Sequence, residues 1–244
     1  MATLKDTLKS LYAAYAPTAP SAPLQSLSYN DNVAISYEHP PVTNLTLRYM
    51  TLNDIEQVTE IDRLSFDTPW SARSYAYEIQ ESHYSHMLAL EADVVRPVSG
   101  WKRWLRSLGG TDNLTVEKTI VGYGGLWNIM DESHISTIAT HPYWRGRGWG
   151  ELLLAAMIRR SMTLNAGYVV LEVRVSNTVA QNLYHKYEFE TVDLRPSYYR
   201  NNNEDAYDMR LHLPDFGMRK RFNERWQQLT DHYDFVDMYS DHKK

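Results

Sequence analysis

The stretch that decides the fold is His134–Tyr187, which consists of HISTIATHPYWRGRGWGELLLAAMIRRSMTLNAGYVVLEVRVSNTVAQNLYHKY. It opens with a predicted strand, Ile135–Thr140, followed by a turn rich in glycine and arginine, Arg145–Gly150. Apolar residues at helical spacing after the turn predict a helix, and the β-branched run Tyr168–Val175 predicts a buried strand. Ser176–Asn177 has the residue types of a helix N-cap, so a second helix is expected to follow.

The turn carries three glycines within five positions, Gly146, Gly148 and Gly150. Glycine has no Cβ, so backbone N–H groups can point inward, and the helix start adds unpaired N–H groups and the positive end of its dipole. Such a nest suits a pyrophosphate. The alternative is a glycine-rich turn that only closes a strand–helix unit. The lack of Gly-Lys-Ser/Thr excludes a P-loop, and the lack of GxGxxG after the first strand argues against a dinucleotide fold.

Composition predicts one enzyme-sized domain with extensions. The 244 residues are 43% apolar, which is enough to bury a substantial core. A formal net charge of −5 argues against a general nucleic-acid binder. The chain has no cysteine, which rules out disulfides, a thiol nucleophile and a cysteine-based metal site. Lys5, Asp6 and Lys9 argue against a signal peptide, and no apolar run approaches the ~20 residues of a membrane helix, so a cytoplasmic protein is expected.

Weaker patterns predict the remaining elements. Residues 3–15 have the spacing of an amphipathic helix, and Ala16–Pro23 is typical of an extended linker.

The connection Arg96–Glu117 holds a basic amphipathic stretch, 101–108, that could dock on a membrane or a partner. The alternative, which we prefer, is a hairpin tip folded back on its own domain. We also expect strands at Leu45–Tyr49, His86–Val94, Thr119–Trp127, Phe189–Leu194 and Ala206–Leu213, and helices after Asn53–Asp54, from Ser71 to Gln80 and around Met218, Phe222, Trp226 and Leu229.

Several short blocks stand out along the chain. One is the turn itself, as Arg145-x-x-Gly148-x-Gly150, and the others are Ser65–Ser71 (SFDTPWS), Ile120–Trp127 (IVGYGGLW), Leu171–Asn177 (LEVRVSN) and Tyr198–Tyr199 followed by Glu204–Ala206. In this order they resemble the GNAT superfamily of N-acetyltransferases, and within it the RimI-type protein N-terminal acetyltransferases. The resemblance spans roughly residues 45–213.

The resemblance implies the GNAT fold, an α/β architecture with a mixed, splayed β-sheet flanked by helices. It divides the chain into an N-terminal extension (1–44), the acetyltransferase domain (45–213, with an insert at 96–117) and a C-terminal helical extension (214–244). It implies acetyl transfer from acetyl-CoA to the α-amine of a protein N-terminus, and a ribosomal protein is the family's typical acceptor. Neither nucleic acid nor a membrane is an expected partner, and the oligomeric state is left open.

The resemblance also implies which residues hold acetyl-CoA. The backbone of the central strand binds the pantetheine arm where a parallel neighbour splays away. The pyrophosphate lies on N–H groups of the turn, whose arginine side chains add charge or face solvent. The cofactor-binding residues predicted in this way are Ile138, Ala139, Thr140, Arg145, Gly146, Arg147, Gly148, Trp149, Gly150, Glu151 and Asn177.

Glu172 is the predicted general base. It lies in the middle of an apolar strand, where a carboxylate is costly unless it has a partner or faces a wet cleft. The resemblance puts the RimI-type base at this position, and the alternative is a structural ion pair with Arg174 or Arg195. His134 and Glu132 are weaker candidates to assist, because related enzymes can place a catalytic side chain on that strand.

Tyr184 is the predicted general acid. It lies seven residues after Asn177, so both side chains occupy one face of the helix. In the family that it resembles, a tyrosine here protonates the departing thiolate; the alternative is a core aromatic beside Leu183 and Tyr187. A protein α-amine, with a pKa of about 8, has a larger neutral fraction near neutral pH than a lysine at about 10.4, so a modest base suffices.

Four residues are predicted to bind the acceptor: Trp70, His134, Tyr198 and Tyr199. In the loop Pro196–Asp205, Glu204 or Asp205 could attract the acceptor's ammonium, unless the loop is an ordinary solvated hairpin. No Gly-x-Ser-x-Gly and no HExxH spacing occurs, so direct transfer without a covalent enzyme intermediate or a metal is expected. The alternatives are an acetyltransferase for a small amine or an internal lysine, and an acyl-CoA-binding regulatory module without catalysis.

Overall fold

The computed structural model describes residues 40, 42–97 and 114–241 of the chain. Within them the strands are β1 (Val42–Tyr49), β2 (Ser85–Pro97), β3 (Leu114–Ile129), β4 (Glu132–Thr140), β5 (Tyr168–Arg174), β6 (Glu190–Tyr199), β7 (Glu204–His212) and β8 (Phe235–Asp237). The helices are α1 (Ile55–Ser65), α2 (Ala72–Gln80), α3 (Trp149–Thr163), α4 (Thr178–Lys186) and α5 (Phe216–His232). Short 3₁₀ helices, Leu52–Asp54 and Pro142–Trp144, precede α1 and the glycine turn.

These eight strands form one open, mixed sheet in the order β6-β7-β5-β4-β3-β2-β1-β8. β4 runs parallel to β5 and β1 runs parallel to β8, whereas the other neighbours pair antiparallel. Helices α1 and α2 cover one face, over β2, β3 and β4, and α3 covers the other, in one core with α4 and α5. This α/β architecture confirms the predicted fold.

β4 and β5 separate soon after they begin to pair. Their ladder is limited to Glu132–His134 opposite Tyr168–Val170, whereas β3 stays beside β4 as far as Thr140. On its far side β5 pairs with β7 along its whole length. A gap therefore opens between two parallel strands in the middle of the sheet, as the splayed arrangement requires, and the candidate site lies around it.

α3 packs unusually close to the sheet. Every residue from Leu152 to Ile158 is buried, as expected for an interior helix that is apolar on all sides. Glycines on β3 permit the approach, because a Cβ on Gly122 would lie 2.9 Å from Leu153 and one on Gly124 would lie 2.8 Å from Met157. This close packing fixes the glycine turn, at the start of α3, beside the gap.

The C-terminal segment completes the sheet and the core. α5 buries the four apolar residues predicted for its inner face, Met218, Phe222, Trp226 and Leu229. The chain then forms β8, which pairs with β1, and the hydroxyl of the fully buried Tyr239 donates to the carbonyl of His86 at 2.9 Å. The segment beyond residue 213, predicted as an extension, therefore shares the core of the domain.

The insert predicted at 96–117 is shorter than expected. β2 and β3 remain paired until Pro97 lies opposite Leu114, so only residues 98–113 connect them. The basic amphipathic stretch 101–108 lies outside the described residues, as do the predicted N-terminal helix and linker. Among the residues that the structure describes, no helix is long and apolar enough to cross a membrane.

The loop predicted at Pro196–Asp205 is mostly strand. β6 continues through Tyr199, and β7 begins at Glu204. Proline is tolerated because β6 is an edge strand, and a bulge with Ser197 at a φ of +49° lets the strand continue. Tyr198 and Tyr199 therefore lie on a strand beside β7 and not on a loop.

The first two helices differ in whether the side chain of the N-cap residue bonds to the helix. Ser71 caps α2 as predicted, since its hydroxyl accepts from the N–H of Ser74 at 3.1 Å. Asp54 is predicted to cap α1, but its carboxylate accepts from the N–H of Thr51 and from the guanidinium of Arg48, each at 2.7 Å. α1 therefore follows a 3₁₀ turn that this carboxylate holds in place.

Candidate active site

The glycine turn has the backbone conformation that its sequence predicts. Gly146 and Gly148 have φ values of +80° and +76°, in the left-handed region that favours glycine. A Cβ on Gly148 would collide with the hydroxyl of Tyr233, which donates to the carbonyl of Arg147 at 2.7 Å. α3 begins immediately afterwards, at Trp149. Tyr233, at the end of α5, therefore helps to hold the turn in place.

The turn leaves a row of backbone donors. Within the described residues, the N–H groups from Gly146 to Gly150 have no hydrogen-bond acceptor. The N–H of Glu151 donates to the carbonyl of Gly148 at 3.0 Å, so this predicted ligand is less available than the others. The free donors lie at the positive end of the α3 dipole, an arrangement that fits a pyrophosphate.

Both arginines of the turn are engaged by the protein. Arg145 donates to the carbonyl of Thr140 at 3.1 Å and to the hydroxyl of Ser65 at 3.0 Å. The guanidinium of Arg147 lies over two buried indole rings, 5.0 and 5.4 Å from their centroids. The first role of both arginine side chains is therefore to hold the turn in its conformation.

Backbone groups of β4 also face the gap. The N–H of His141 donates to the carbonyl of Val121 in β3 at 2.9 Å. Because backbone groups alternate in direction along a strand, those of Ala139 point to β3 as well, whereas those of Ile138 and Thr140 point to the side from which β5 has separated. The first arginine of the turn already occupies the Thr140 carbonyl. The geometry therefore favours Ile138 and the Thr140 N–H over Ala139 for binding in the gap.

Glu172 lies on the face of the sheet covered by α1 and α2, where the gap opens. Its side chain is 8% exposed, with Oε2 2.8 Å from Nε2 of His134 and Oε1 2.9 Å from Nη1 of Arg195. Burial raises the pKa of Glu172, but the two partners more than offset it, so the pKa is lowered from 4.5. The ion pair with Arg195 that the sequence left open is present, and Arg174 bonds elsewhere.

His134 connects Glu172 to an aromatic pair that includes a residue not predicted from the sequence. Its ring meets that of Trp127 edge-on at 5.8 Å, and Trp127 stacks on Trp70 at 6.1 Å with 23° between the planes. The indole N–H of Trp127 donates to the buried carboxylate of Glu78 at 2.9 Å. Trp127 ends one of the family-like blocks, but its contact with His134 depends on the β3–β4 register.

Trp70 is held by a second buried acid. Its backbone N–H donates to Asp62 at 2.5 Å. Asp62 also accepts from the hydroxyl of Tyr123, which itself accepts from the hydroxyl of Tyr75 at 3.0 Å. Burial raises the pKa of Asp62. The segment between α1 and α2 is therefore attached to the sheet through a buried polar network, and the Trp70 side chain remains half-buried.

Tyr184 belongs to the core on the opposite face of the sheet. Its side chain is 6% exposed and lies beside Phe189 at a ring distance of 5.9 Å. Burial raises the pKa of Tyr184, with a smaller effect from Tyr199, so the hydroxyl is protonated at neutral pH. The negative charge of Glu172 contributes to raising the pKa of Tyr199. The two predicted catalytic residues therefore lie on opposite faces of the sheet.

Tyr198 and Tyr199 line the Glu172 side of this region. Their rings meet edge-on at 5.1 Å. Burial raises the pKa of both hydroxyls, that of Tyr199 to about 12. The acids predicted to attract an ammonium are already in use, since Glu204 accepts from Arg174 and Asp205 accepts from a backbone N–H of β6.

Two further predicted residues have local partners. Asn177 caps α4, because its Oδ1 accepts from the N–H of Ala180 at 3.1 Å, and its contact with a cofactor stays a prediction. Burial raises the pKa of Glu132, which Tyr168 and Arg210 partly counteract. Across the described ranges, no group of three or more His, Asp or Glu residues could hold a metal ion.

Comparison with known proteins defines the family. Residues 55–189 match the model of the acetyltransferase (GNAT) family. A Bacillus subtilis protein, provisionally named ribosomal protein bS18-alanine N-acetyltransferase, is 34% identical over 167 residues, which cover 68% of this chain and 95% of that protein. The N-alpha-acetyltransferase RimI of Mycobacterium tuberculosis is 30% identical over 172 residues, which cover 68% of this chain and 91% of that protein.

A solved structure shares the fold. The crystal structure of the ribosomal-protein-S18-alanine N-acetyltransferase from Escherichia coli has a TM-score of 0.53 at 22% identity, over 69% of this chain and 93% of that chain. GNAT enzymes use acetyl-CoA, whose pyrophosphate and pantetheine arm suit the free donors of the turn and the open edge of β4. The chain belongs to the GNAT acetyltransferase family and is an acetyl-CoA-dependent N-acetyltransferase.

Proposed function

We propose that this enzyme acetylates the α-amine of a protein or peptide N-terminus. The observation that carries the proposal is the Glu172–His134 pair beside the β4–β5 gap, with Tyr184 on the opposite face of the sheet. A proton acceptor and a proton donor on two sides of one opening suit a reaction in which an amine loses a proton and a thiolate gains one. The relatives are named for acetylating a ribosomal protein alanine and for N-alpha acetylation, which supports this acceptor.

The chain's backbone would bind the cosubstrate. Acetyl-CoA supplies the acetyl group as a thioester. The free N–H groups from Gly146 to Gly150 would hold the pyrophosphate, and the gap-facing groups of Ile138 with the N–H of Thr140 would hold the pantetheine arm. Asn177 remains a candidate for a further contact from the start of α4.

The base is the Glu172–His134 pair and not Glu172 alone. Both oxygens of Glu172 have partners and its pKa is lowered, so the isolated carboxylate is a weak base. His134 Nε2 lies 2.8 Å from Glu172 Oε2, so a proton taken up by the pair would lie beside the negative charge of the carboxylate. The pair therefore takes the proton that the amine loses as it forms the new C–N bond.

Tyr184 supplies the second proton. Its hydroxyl is protonated at neutral pH, so it can donate a hydrogen bond and then its proton to the sulfur as negative charge develops there. The C–S bond breaks as the thiol forms, and Tyr184 regains its proton from solvent. Neither step uses a covalent bond to the enzyme.

A peptide assay read by mass spectrometry tests the proposal. One peptide carries a free α-amine and an internal lysine, and its partner has the α-amine blocked. We expect acetylation only at the free α-amine, including on a peptide that has the N-terminal sequence of a ribosomal protein beginning with alanine. Glu172→Gln and Tyr184→Phe should each lower kcat by about 10²–10⁴-fold without changing the Kd for acetyl-CoA.

Glu60→Gln is the matched control, because Glu60 forms an ion pair with Arg63 on the exposed face of α1. Acetylation of the lysine in the blocked peptide, or of small amines instead of peptides, would replace the proposed acceptor. Unchanged turnover in both active-site variants would remove the catalytic assignments. Binding of acetyl-CoA with no acceptor acetylated would indicate a regulatory binding module. A cytoplasmic location, where ribosomes and acetyl-CoA occur together, is part of the proposal.

A further inference from the structure

We infer that Trp70 and Trp127 form an apolar wall of the acceptor site, which selects a bulky apolar first side chain on the acceptor. This inference rests on the proposed function, because it takes the acceptor amine to lie at Glu172 and His134. It predicts a preference that differs from the alanine named for the Bacillus subtilis relative.

The wall lies next to the proton-accepting pair. Trp127 is opposite His134 in the β3–β4 ladder, and their ring centroids are 5.8 Å apart. Trp70 continues the wall away from the sheet, stacked on Trp127 and half-buried. In an N-terminal residue the amine and the side chain are attached to the same carbon atom. A side chain whose amine is held at His134 is therefore within reach of the wall.

The Trp127 side chain presents no polar group to an acceptor. The indole N–H of Trp127 is its one polar side-chain atom, and it donates to Glu78, which is 4% exposed. Apart from this N–H, the side chain of Trp127 is hydrocarbon. Burial of an apolar side chain against hydrocarbon is favourable, whereas a polar or charged side chain gains no hydrogen bond from Trp127 in return for those it loses to water.

Two buried carboxylates hold the wall in place without an acceptor. Glu78 fixes the ring of Trp127, and Asp62 fixes the backbone of Trp70. Tyr75 packs against Trp70 from behind at a ring distance of 5.4 Å. A surface ordered in advance loses little conformational freedom when a side chain binds to it, which strengthens selection.

The other side of Glu172 has the opposite character. Arg195 bonds both Glu172 and Asp208, and Arg174 lies over the ring of Tyr199. An apolar side chain has no complementary surface among these charges. Among the residues that the structure describes, the aromatic surface next to His134 that lies away from these charges is the Trp70–Trp127 wall.

The test uses the full chain and peptides that differ only in their first residue. We expect leucine and phenylalanine to give a kcat/KM about tenfold or more above alanine, serine and aspartate. Trp70→Ala should reduce this ratio to below about threefold, because KM rises for the leucine and phenylalanine peptides more than for the alanine peptide. Trp127→Phe, which keeps an aromatic ring but frees Glu78, should give an intermediate ratio. Phe66→Ala, on the same segment but 40% exposed, should leave it unchanged.

Binding of acetyl-CoA, measured by calorimetry, shows that each variant is folded. The inference is wrong if wild type acetylates α-amines but prefers alanine or serine, or shows no preference, and in that case the proposed function stands. It is equally wrong if Trp70→Ala and Trp127→Phe both keep the wild-type ratio. If no peptide is acetylated at its α-amine, the proposed function and the wall fail together.

Discussion

The surroundings of single residues in the site shift their pKa values. Glu172 is buried, yet it stays ionised because His134 and Arg195 bond its two oxygens. Burial raises the pKa of Tyr184, so its hydroxyl stays protonated. Both shifts strengthen the protonation state that the residue type has at neutral pH. The surroundings therefore shift the pKa of the proposed base downward and that of the proposed acid upward.

At Gly148 two physical constraints coincide. Gly148→Ala puts a side chain on a left-handed residue, which costs about 1–2 kcal/mol, and pushes its Cβ into the Tyr233 hydroxyl. We expect the Kd for acetyl-CoA to rise about tenfold or more, measured by calorimetry. Gly146→Ala is the control, since a Cβ there meets nothing within 4 Å and only the φ cost remains.

The double variant Gly148→Ala/Tyr233→Phe separates the two causes. Removing the hydroxyl should restore part of the lost affinity if the collision matters. No recovery would leave backbone strain as the whole effect. Equal losses in Gly146→Ala and Gly148→Ala would contradict a role for Tyr233 in holding the turn.

Glu172 is also expected to make the free energy of unfolding depend on pH. Its pKa is lowered in the folded protein, so its ion pairs contribute fully above about pH 4.5 and are lost as the pH falls through the folded value. Below that value wild type carries a neutral carboxyl, as Glu172→Gln carries a neutral amide. We therefore expect the difference in unfolding free energy between the two to be largest near pH 7 and to shrink toward pH 3, measured by urea titration. A difference that is constant across this range would contradict the pairing.

At the scale of elements, one bridge joins two segments across the candidate acceptor site. Arg174, at the end of β5, bonds Glu204 in the β6–β7 hairpin at 2.8 Å and Asp67 after α1 at 3.2 Å. The side chain of Asn201, at the hairpin tip, donates to the same Asp67 at 2.7 Å. These contacts join the two segments beside Tyr199, over whose ring the guanidinium of Arg174 lies at 3.8 Å.

Asp67→Asn tests this bridge. The Asp67 side chain is 65% exposed, so its ion pair contributes about 0.2–1 kcal/mol. We expect KM for a peptide acceptor to rise about two- to fivefold, with kcat and the melting temperature nearly unchanged, in steady-state kinetics and a thermal scan. Glu60→Gln, which breaks another exposed pair, should leave KM unchanged. A fall in kcat with constant KM would show that the bridge acts on the chemistry and not on entry.

At the scale of the whole molecule, the C-terminal segment is part of the domain. Trp226 on α5 stacks on Phe222 at 6.4 Å, and the guanidinium of Arg159 from α3 lies 4.8 Å from its ring centroid. Phe235 of β8 meets the same ring edge-on at 5.8 Å. Since α3 also starts at the glycine turn, this packing links the C-terminal segment to the helix that holds the candidate phosphate site.

Trp226→Ala should therefore destabilise the whole domain. Trp226 is 7% exposed, and truncation of a buried tryptophan costs about 3–5 kcal/mol. We expect a loss of this size in denaturant unfolding, with one cooperative transition. Phe216→Ala on the same helix is the control, because that side chain is 84% exposed and the change should stay within about 0.5 kcal/mol. A small loss in both variants would mean that the segment folds apart from the sheet.

The sequence by itself determined the features that depend on neighbours along the chain. The glycines of the turn, the start of α3, the caps at Ser71 and Asn177 and the inner face of α5 follow from local rules of backbone freedom, capping and periodicity. Glu172 also stood out, because a carboxylate within an apolar strand needs an explanation.

Only the tertiary structure decided which residues distant in sequence are in contact. His134 meets Glu172 because of the register of β4 beside β5, and Arg195 meets it because of the registers of β7 beside β5 and of β6 beside β7. Trp127 meets His134 because of the β3–β4 register. The same holds for β8 beside β1, and for Ala139, whose backbone turns to β3 and away from the gap. Pairing between distant segments minimises the energy of the whole sheet, so no local stretch of sequence carries that information.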